Sequence, residues 1–506
     1  MKRFLLSFFL LFPLKFLSGQ KNILFISVDD LKPMFKSYGH QDMITPNIDA
    51  LAAKGTSFLN TSTQQAICAP SRASLLTGLY PDNTRVWDLE TQIRDENPNV
   101  VTLPQHFKNN GYYSVGLGKI FDSRSVDNGY DSKSWSTQFL QGMPNQYYFS
   151  NDAGKSGYQD PLVHQAINQY NSYISSNNIT SLNGKREARK LFPLCKPSTE
   201  GNQDLPDDGY VDGARTNYAM IKMEEAANSG KPFFLAVGYT KPHLPFVAPK
   251  KYWDLYEREK IKLPEYLKPP KGKTPYTLSP YKEIEDYISK TIIDEAKIKE
   301  LRHGYYACVS YVDAQIGKII NALIEKGELE NTIIVLWGDH GFKLGDFGEW
   351  AKATNLEVDA RVPLIFRMPA KENAGTKVAT PVELTDIMPT LCDVANIKTP
   401  SNAEGESLLP LFFNPEADFR PFALTQYARK EMAYSIRTKE WRYTEYVNKK
   451  SYETIEQELY RIDDQTLMED ENVEGKYPNV VKEMSKILHD YIKTAPKWDG
   501  PQIPKK

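Results

Sequence analysis

Hydrophobic residues in this chain follow two patterns, which predict buried strands separated by amphipathic helices. Continuous apolar runs occupy residues 22–28, 232–238 and 332–337. The first is typical of a buried parallel strand, whose functional residues stand at its carboxyl end. Residues 298–325 instead repeat apolar side chains at helical spacing. Together these patterns predict an α/β chain.

Capping residues and glycines set the limits of the shorter predicted elements. Thr45 and Pro46 begin a helix that ends at Gly55, and Pro70 and Gly78 suit the start and the end of a second helix. The remaining predictions are helices at 102–110, 212–227 and 383–395, and strands at 111–119 and 362–368.

The composition and hydrophobic pattern of the chain change in two places. Residues 130–215 are rich in Asn, Gln, Ser, Tyr and Gly, which predicts loops and short helices that supply substrate-pocket residues. Beyond residue 399, alternating stretches at 433–437, 441–447 and 458–462 predict a small antiparallel sheet, with a closing helix at 480–492. We therefore expect a large domain at 20–398 and a smaller α+β subdomain at 399–506.

The amino terminus predicts export. Residues 1–19 place two basic residues before a short apolar run and then small residues, as a cleaved signal peptide does. The run is too short for a confident membrane span, and no lipid-anchor cysteine follows it. We expect a periplasmic or secreted protein without stable membrane insertion. A net charge of -2 signals no nucleic-acid partner.

Four cysteines are widely spaced, which argues against a zinc site or a disulfide framework. Cys308 and Cys392 lie in apolar helical stretches and are expected in the core. Cys68 stands just ahead of a predicted helix, where free N–H groups attract an anion and lower the pKa of a thiol. By itself this position also fits an ordinary buried cysteine.

Polar residues follow several predicted strands directly. Asp29 and Asp30 follow the first strand, Asp339 and His340 follow the strand at 332–337, and Lys119 follows the strand at 111–119. Paired carboxylates at a strand end suit a hard cation. His243, held between Pro242 and Pro245, is a candidate acid, base or anion donor. Taken singly, each of these residues also fits a structural role.

Four motifs together resemble the type I, formylglycine-dependent sulfatases. The first runs Cys68-Ala69-Pro70-Ser71-Arg72 and continues to Thr77-Gly78, the second leads from Gly111 to Gly118-Lys119, the third is Lys241-Pro242-His243, and the fourth is Gly348-Glu349-Trp350-Ala351-Lys352. Within the family the chain looks most like the iduronate-2-sulfatase subfamily and its bacterial polysaccharide-sulfatase relatives. The resemblance implies an alkaline-phosphatase-like fold, with a large mixed, mostly parallel sheet between helices and a small C-terminal sheet.

The resemblance also implies a site. A formylglycine-generating or other sulfatase-maturing enzyme would convert Cys68 to formylglycine, whose hydrate attacks sulfur. Asp29, Asp30, Asp339 and His340 would hold a divalent cation together with residue 68; Ca²⁺ is favoured and Mg²⁺ is a possible substitute. Arg72, Lys119 and Lys352 would neutralise the sulfate oxygens. His243 would bind sulfate or protonate the leaving oxygen.

Asp122 departs from the family pattern, which continues from the motif lysine to a histidine. A carboxylate accepts a proton but repels sulfate, so Asp122 either serves as the base or faces substrate while another group substitutes. The expected function is removal of sulfate esters from a uronic-acid-containing glycosaminoglycan or a marine polymer such as ulvan or carrageenan. The alternatives are a phosphate or phosphonate ester hydrolase of the same superfold and a catalytically impaired protein that binds sulfated glycans.

Overall fold

The computed structural model describes residues 20–140, 157–288, 293–369, 374–462 and 469–498. The predicted signal peptide lies outside them. Eight of the first ten described strands form the large sheet, and the other two, β4 and β6, pair with each other. Their bounds in chain order are β1 Asn22–Val28, β2 Thr56–Ser62, β3 Tyr113–Gly118, β4 Thr199–Glu200, β5 Phe233–Tyr239, β6 Phe246–Val247, β7 Thr332–Gly338, β8 Arg361–Arg367, β9 Thr376–Val378 and β10 Val382–Glu383. Four more form a second sheet: β11 Ala423–Ala428, β12 Met432–Arg437, β13 Trp441–Val447 and β14 Thr454–Arg461.

The described helices range from one turn to 31 residues. Those of the first half of the chain are α1 Pro46–Ala53, α2 Cys68–Thr77, α3 Pro81–Thr84, α4 Ile93–Glu96, α5 Leu103–Asn109, α6 Pro161–Ser176, α7 Leu182–Arg189 and α8 Val211–Ala227. Those of the second half are α9 Lys250–Trp253, α10 Glu295–Glu325, α11 Glu357–Ala360, α12 Ile387–Val394, α13 Leu409–Phe413 and α14 Pro478–Thr494.

The large sheet has the strand order β10-β2-β8-β7-β1-β5-β3, with β9 paired to β2. β8 runs antiparallel to β2 and β7, while the other pairings described for this sheet are parallel. The register aligns Val28 at the end of β1 with Tyr239 of β5 and Gly338 of β7. The residues that follow these strands therefore meet at one edge of the sheet, which confirms the mostly parallel α/β architecture.

Helices cover both faces of this sheet. Leu24 and Ile26 of β1 point into a cluster that includes α8 and α10, and the alternate residues Ile23 and Phe25 point into a second cluster with α2, α5 and α12. Because both faces of β1 are buried, a continuous apolar strand is the stable sequence here. The second sheet has the order β11-β12-β13-β14, and α14 packs Met484, Leu488 and Ile492 against it.

A buried ion-pair cluster joins the second sheet to the large one. Glu357 of α11 accepts hydrogen bonds from the guanidinium groups of Arg437 and Arg442, and Arg442 also pairs with Glu469 at 2.7 Å. All four side chains are buried. Since removing one partner of such a cluster leaves a buried charge uncompensated, these contacts fix how the sheet sits on the large body.

Sequence patterns missed parts of the fold. β2, β11 and the 16-residue helix α6 were not predicted. The expectation of only loops and short helices at 130–215 is wrong at α6, because Asp160 caps a helix with Pro161 in its first turn and Val163, Ala166 and Ile167 provide a buried face. Residues 383–395 begin as a strand and a 3₁₀ turn before α12. Among the described helices, none has the length and apolar character needed to cross a membrane.

Gly238 at the end of β5 allows the chain after β3 to come close. A Cβ atom at Gly238 would stand 2.2 Å from the carbonyl carbon of Lys119. We therefore expect Gly238→Ala to lower the free energy of unfolding by roughly 1–3 kcal/mol through overpacking. Thermal unfolding measures this, with Gly475→Ala as the control because a Cβ there meets nothing within 4 Å. Equal melting temperatures for the two variants would contradict the close approach.

Candidate active site

Cys68 is the first residue of α2 and lies buried at the edge where β1, β5 and β7 end. Its Sγ is 3.2 Å from His340 Nε2 and 3.4 Å from Lys119 Nζ. Burial and the neighbouring Asp29 carboxylate raise the pKa of the thiol well above its ordinary value. The net shift is therefore opposite to the lowering expected from the helix N-terminus, because burial and Asp29 outweigh it. An unmodified Cys68 is a poor thiolate nucleophile.

Three carboxylates surround Cys68 from two strand ends. Asp29 and Asp30 follow β1, Asp339 follows β7, and each is at most 1% exposed. Asp339 Oδ1 accepts hydrogen bonds from the backbone N–H of Asp30 at 3.1 Å and of His340 at 3.0 Å. Asp30 holds a left-handed φ of 58°, which aspartate tolerates better than most residues.

Arg72, one turn into α2, ties these elements together. Its Nε donates to Asp339 at 2.9 Å, one terminal nitrogen donates to Asp29 at 3.1 Å, and the other donates to Ser27 and to the backbone carbonyls of Lys119 and Ile120. Arg72 is fully buried, and all three of its guanidinium nitrogens contact protein. This geometry makes Arg72 a link between α2 and the ends of β1, β3 and β7.

The two predicted lysines contact carboxylates of the same cluster. Lys119 Nζ lies 2.6 Å from Asp29 Oδ2, and Lys352 Nζ lies 3.0 Å from both oxygens of Asp30. Burial raises the pKa of Asp30 to about 7, and the nearby Asp29 and Glu283 carboxylates act in the same direction. The positive charges near Asp30 thus do not fully offset the cost of burying its ionised carboxylate, and an additional cation would stabilise that form.

His243 lies in a braced loop after β5. The buried ammonium group of Lys241 donates to the carbonyls of His243 at 2.9 Å and Pro245 at 2.6 Å. His243 Nδ1 contacts the Leu244 carbonyl at 2.6 Å, and Nε2 faces Glu283 Oε1 at 3.2 Å. Burial and the neighbouring Lys352 ammonium lower the pKa of His243 to about 4.

Glu283 is a member of this cluster that sequence patterns did not reveal. Its second oxygen lies 3.0 Å from Lys352 Nζ, so one carboxylate joins His243 to Lys352. Burial opposes its charge, but Lys352 and His243 lower the pKa of Glu283 to about 2. Glu283 occurs in an acidic stretch, Glu283-Ile284-Glu285-Asp286, that is typical of a solvated surface turn. No local signal marks it.

Asp122 is paired with a second residue that the motifs did not indicate. Its two carboxylate oxygens accept from Arg124 Nε and Nη2, each at 2.8 Å, and its Oδ2 lies 3.9 Å from Lys119 Nζ. Burial would raise the pKa of Asp122, but Arg124 and Lys119 lower it to about 2. The sequence Asp-Ser-Arg could have suggested this pair, because an aspartate often bonds the backbone two residues ahead.

The donor set fits a hard divalent cation. Asp29, Asp30, Cys68 and His340 each offer a ligand atom, and these atoms lie within 4.8 Å of one another. His340 Nδ1 is 2.9 Å from the Gly341 carbonyl, which favours a proton on Nδ1 and leaves Nε2 available as a ligand. Asp339 adjoins this group and is engaged by backbone N–H groups and Arg72. Oxygen from residue 68 in its modified form would suit Ca²⁺ or Mg²⁺ better than sulfur does.

The lowered pKa of His243 has a consequence for stability. Between about pH 6.5 and pH 4 the unfolded chain takes up a proton at this residue that the folded chain does not, so stability falls as the pH falls through that window. The shift corresponds to a loss of up to roughly 3 kcal/mol. We expect His243→Gln to flatten the pH dependence, measured by urea unfolding at pH 7 and pH 4.5 on chelator-treated protein. An unchanged difference between the two pH values would contradict this.

Comparisons with known proteins show the family of this chain. Residues 21–397 match the Sulfatase family, and residues 345–494 match the C-terminal region of N-sulphoglucosamine sulphohydrolase. The chain is 33% identical to iduronate 2-sulfatase of Mus musculus over 499 residues, covering 84% of each protein.

Two solved structures show a similar fold. A protein in complex with its substrate D-glucosamine-2-N,6-O-disulfate aligns with a TM-score of 0.71 and 21% identity, over 96% of this chain and all of that one. A phosphonate monoester hydrolase of Agrobacterium radiobacter aligns with a TM-score of 0.68 and 21% identity, over 94% and 96%. The family match and the identity over most of the chain show that this protein belongs to the sulfatase family, the enzymes that hydrolyse sulfate esters.

Proposed function

We propose that this protein is an exported carbohydrate sulfatase that uses formylglycine at position 68 and a divalent cation. The observation that carries the proposal is the convergence on Cys68 of ligand atoms from Asp29, Asp30 and His340 with the ammonium groups of Lys119 and Lys352. The carboxylates suit a cation, and the ammonium groups paired with them suit a sulfate ester.

Formylglycine supplies, as its hydrate, the nucleophile that the encoded cysteine lacks. That hydrate would offer two hydroxyl groups, one as the nucleophile toward sulfur and the other as the group whose loss of a proton releases sulfate and restores the aldehyde. The raised pKa of the Cys68 thiol supports this proposal, because a buried thiol beside two carboxylates is not activated by its surroundings. A bound cation held by Asp29, Asp30, Asp339 and His340 with residue 68 would polarise sulfate oxygens and compensate the carboxylates.

The basic residues and His243 have different roles in the proposed reaction. Lys119 and Lys352 bring ammonium groups beside residue 68 and neutralise charge that develops on sulfate oxygens. Arg72 acts mainly as a positioning residue, because its donors are already taken by Asp29, Asp339 and backbone carbonyls. The negative charge of a bound ester raises the lowered pKa of His243, so that the ring takes up a proton from solvent. It then protonates the leaving oxygen.

Asp122 is better suited to pair with the positively charged side chains of Arg124 and Lys119 than to act as the base. A carboxylate with a pKa of about 2 that accepts two hydrogen bonds from Arg124 has little affinity for a proton. This supports the second of the two roles considered for Asp122, in which another group takes over the contact with substrate.

The substrate class follows from the relatives and from export. The iduronate 2-sulfatase relative is named for a uronic acid, and the N- and O-sulfated glucosamine complex shows a sulfated sugar bound in a similar fold. We propose a uronic-acid-containing glycosaminoglycan or a marine polymer such as ulvan as the substrate. The segment 1–19 would direct the chain to the periplasm or beyond, and a sulfatase-maturing enzyme would be its partner.

Phosphate or phosphonate ester hydrolysis is the second candidate. It is favoured by the fold shared with the phosphonate monoester hydrolase and by a metal and lysine arrangement that also suits phosphoryl transfer. The sulfate of a sugar carries one negative charge where a phosphate monoester carries two, so the two substrates test the charge balance of the site directly.

We expect 4-nitrophenyl sulfate to be hydrolysed in preference to 4-nitrophenyl phosphate, and Cys68→Ala to lower kcat more than about a thousandfold because the nucleophile is lost. Cys392→Ala is the matched control, since Cys392 is also a buried free cysteine.

Mass spectrometry of the peptide containing residue 68, from protein made with its maturing enzyme, should show formylglycine. Preference for phosphate, or unmodified Cys68 with glycan binding alone, would overturn the sulfatase proposal.

Cation binding is testable by thermal unfolding. We expect Ca²⁺ at about a hundred times its Kd to stabilise chelator-treated protein by roughly 2.7 kcal/mol, and Asp30→Asn to abolish most of this gain. Asp204→Asn, at an exposed position, is the control. The same rise in melting temperature for Asp30→Asn and the wild type would mean that Ca²⁺ binds elsewhere, and a comparison with Mg²⁺ identifies the preferred ion.

A further inference from the structure

Arg124 lies at the rim of the site, and its positive charge has no role in the proposed reaction. Its side chain is 49% exposed, whereas the Asp122 side chain to which it is bonded is 2% exposed. We propose that Arg124 binds a second anionic group of the sulfated sugar, either a carboxylate or a further sulfate ester, beside the sulfate that is removed. This inference rests on the proposed function and assigns a charge requirement to the substrate.

The backbone that carries Arg124 is held in a tight turn. Asp122 Oδ1 accepts the backbone N–H of Arg124 at 3.0 Å, and the Asp122 carbonyl accepts the Ser125 N–H at 3.0 Å. On the other side of the turn, Gln92 Nε2 donates to the Arg124 carbonyl at 2.7 Å, and the Ile93 N–H donates to the Ser125 carbonyl at 2.8 Å. A residue fixed on both sides loses little further freedom when it binds a ligand.

The guanidinium group is aimed by the same carboxylate. Nε and Nη2 each donate to Asp122 at 2.8 Å, which fixes the plane of the group. Nη1 makes no hydrogen bond with the part of the chain that the structure describes. A planar guanidinium with free N–H groups matches the oxygens of a carboxylate or a sulfate. Arg124 therefore presents a preformed anion contact to solvent.

The position of this contact links it to the reacting group. Asp122 Oδ2 is 3.9 Å from Lys119 Nζ, and Lys119 Nζ is 3.4 Å from Cys68 Sγ. Arg124 is thus two side chains away from the reacting position, a separation that a substituent on the same or the adjacent sugar ring can span. A residue needed only to neutralise Asp122 would not have to keep half of its side chain in solvent.

The substitution Arg124→Gln tests the proposal with three disaccharides that carry the same scissile sulfate. The first contains a uronate carboxylate, the second has that carboxylate reduced to a hydroxymethyl group, and the third has no carboxylate but carries a second sulfate ester. We expect kcat/KM of Arg124→Gln to fall roughly 10- to 100-fold on a substrate whose second anionic group Arg124 binds, from the loss of a charge-assisted hydrogen bond. On the carboxyl-reduced disaccharide we expect a change of less than about twofold.

Arg85→Gln is the matched control. Arg85 also pairs with a carboxylate, Glu96 at 2.6 Å, but it lies beyond the C-terminal end of α2, whereas Cys68 is at the opposite end of that ten-residue helix. Its kinetics should match those of the wild type. A selective loss on the uronate identifies a carboxylate ligand, and a selective loss on the disulfated sugar identifies a sulfate ligand.

Two results would overturn the proposal. An equal loss of kcat/KM on all three disaccharides would show that Arg124 acts by supporting Lys119 or the fold, and no loss on any would show that it contacts no substrate. Melting temperatures of both variants separate instability from lost binding. If the wild-type enzyme hydrolyses neither these disaccharides nor 4-nitrophenyl sulfate, the proposed function itself fails. That result is distinct from an active wild type whose Arg124→Gln variant responds equally to all three disaccharides.

Discussion

The ion-pair network of Arg72 with Asp29 and Asp339 is the constraint on which the site depends. All three side chains are essentially inaccessible to water, so each would be strongly destabilising without its partners. The guanidinium also holds the carbonyls that follow β3. The observed arrangement of α2 relative to the ends of β1, β3 and β7 satisfies these donors and acceptors, and it puts residue 68 among the carboxylates.

The sheet makes this network possible by bringing distant parts of the chain to one line. Asp29 and Asp339 are separated by about three hundred residues in sequence, yet the parallel register of β1 and β7 puts them side by side. The close approach of the chain after β3 to Gly238 adds Lys119 to the same edge. The chemistry is therefore a property of strand ends, supported by a core on each face of the sheet.

Around this center lie contacts that come from loops and are less regular. Glu283 joins His243 to Lys352, and Asp122 holds Arg124 at the rim. These residues surround the reacting position without belonging to the strand-end cluster. Loops can change without disturbing the sheet, so a rim contact such as that of Asp122 with Arg124 is suited to select among substrates that share a sulfate ester. Within one fold, strand-end residues can therefore carry a shared reaction while loop residues determine which substrate is preferred.

Much of the central architecture could be predicted from local sequence. The limits of β1 and α1 agree with the predictions because apolar runs, capping residues and terminal glycines act over a few residues. Motifs indicated the strand-end residues of the site, and the structure brings Asp29, Asp30, Cys68, Lys119, His340 and Lys352 together. β2 was missed because its Thr, Ser and Asn residues are buried by neighbouring strands and not by their own hydrophobicity.

What the sequence by itself determined was the set of elements and the family motifs at their ends. What only the tertiary structure decided was the electrostatic state of those residues and the identity of their partners. The N-terminus of α2 favours a thiolate at Cys68, but burial beside Asp29 reverses that preference. Likewise, Glu283 and Arg124 carry no local signal of function, because a charge gains its meaning from groups that the fold brings within a few ångströms and from the water that it excludes.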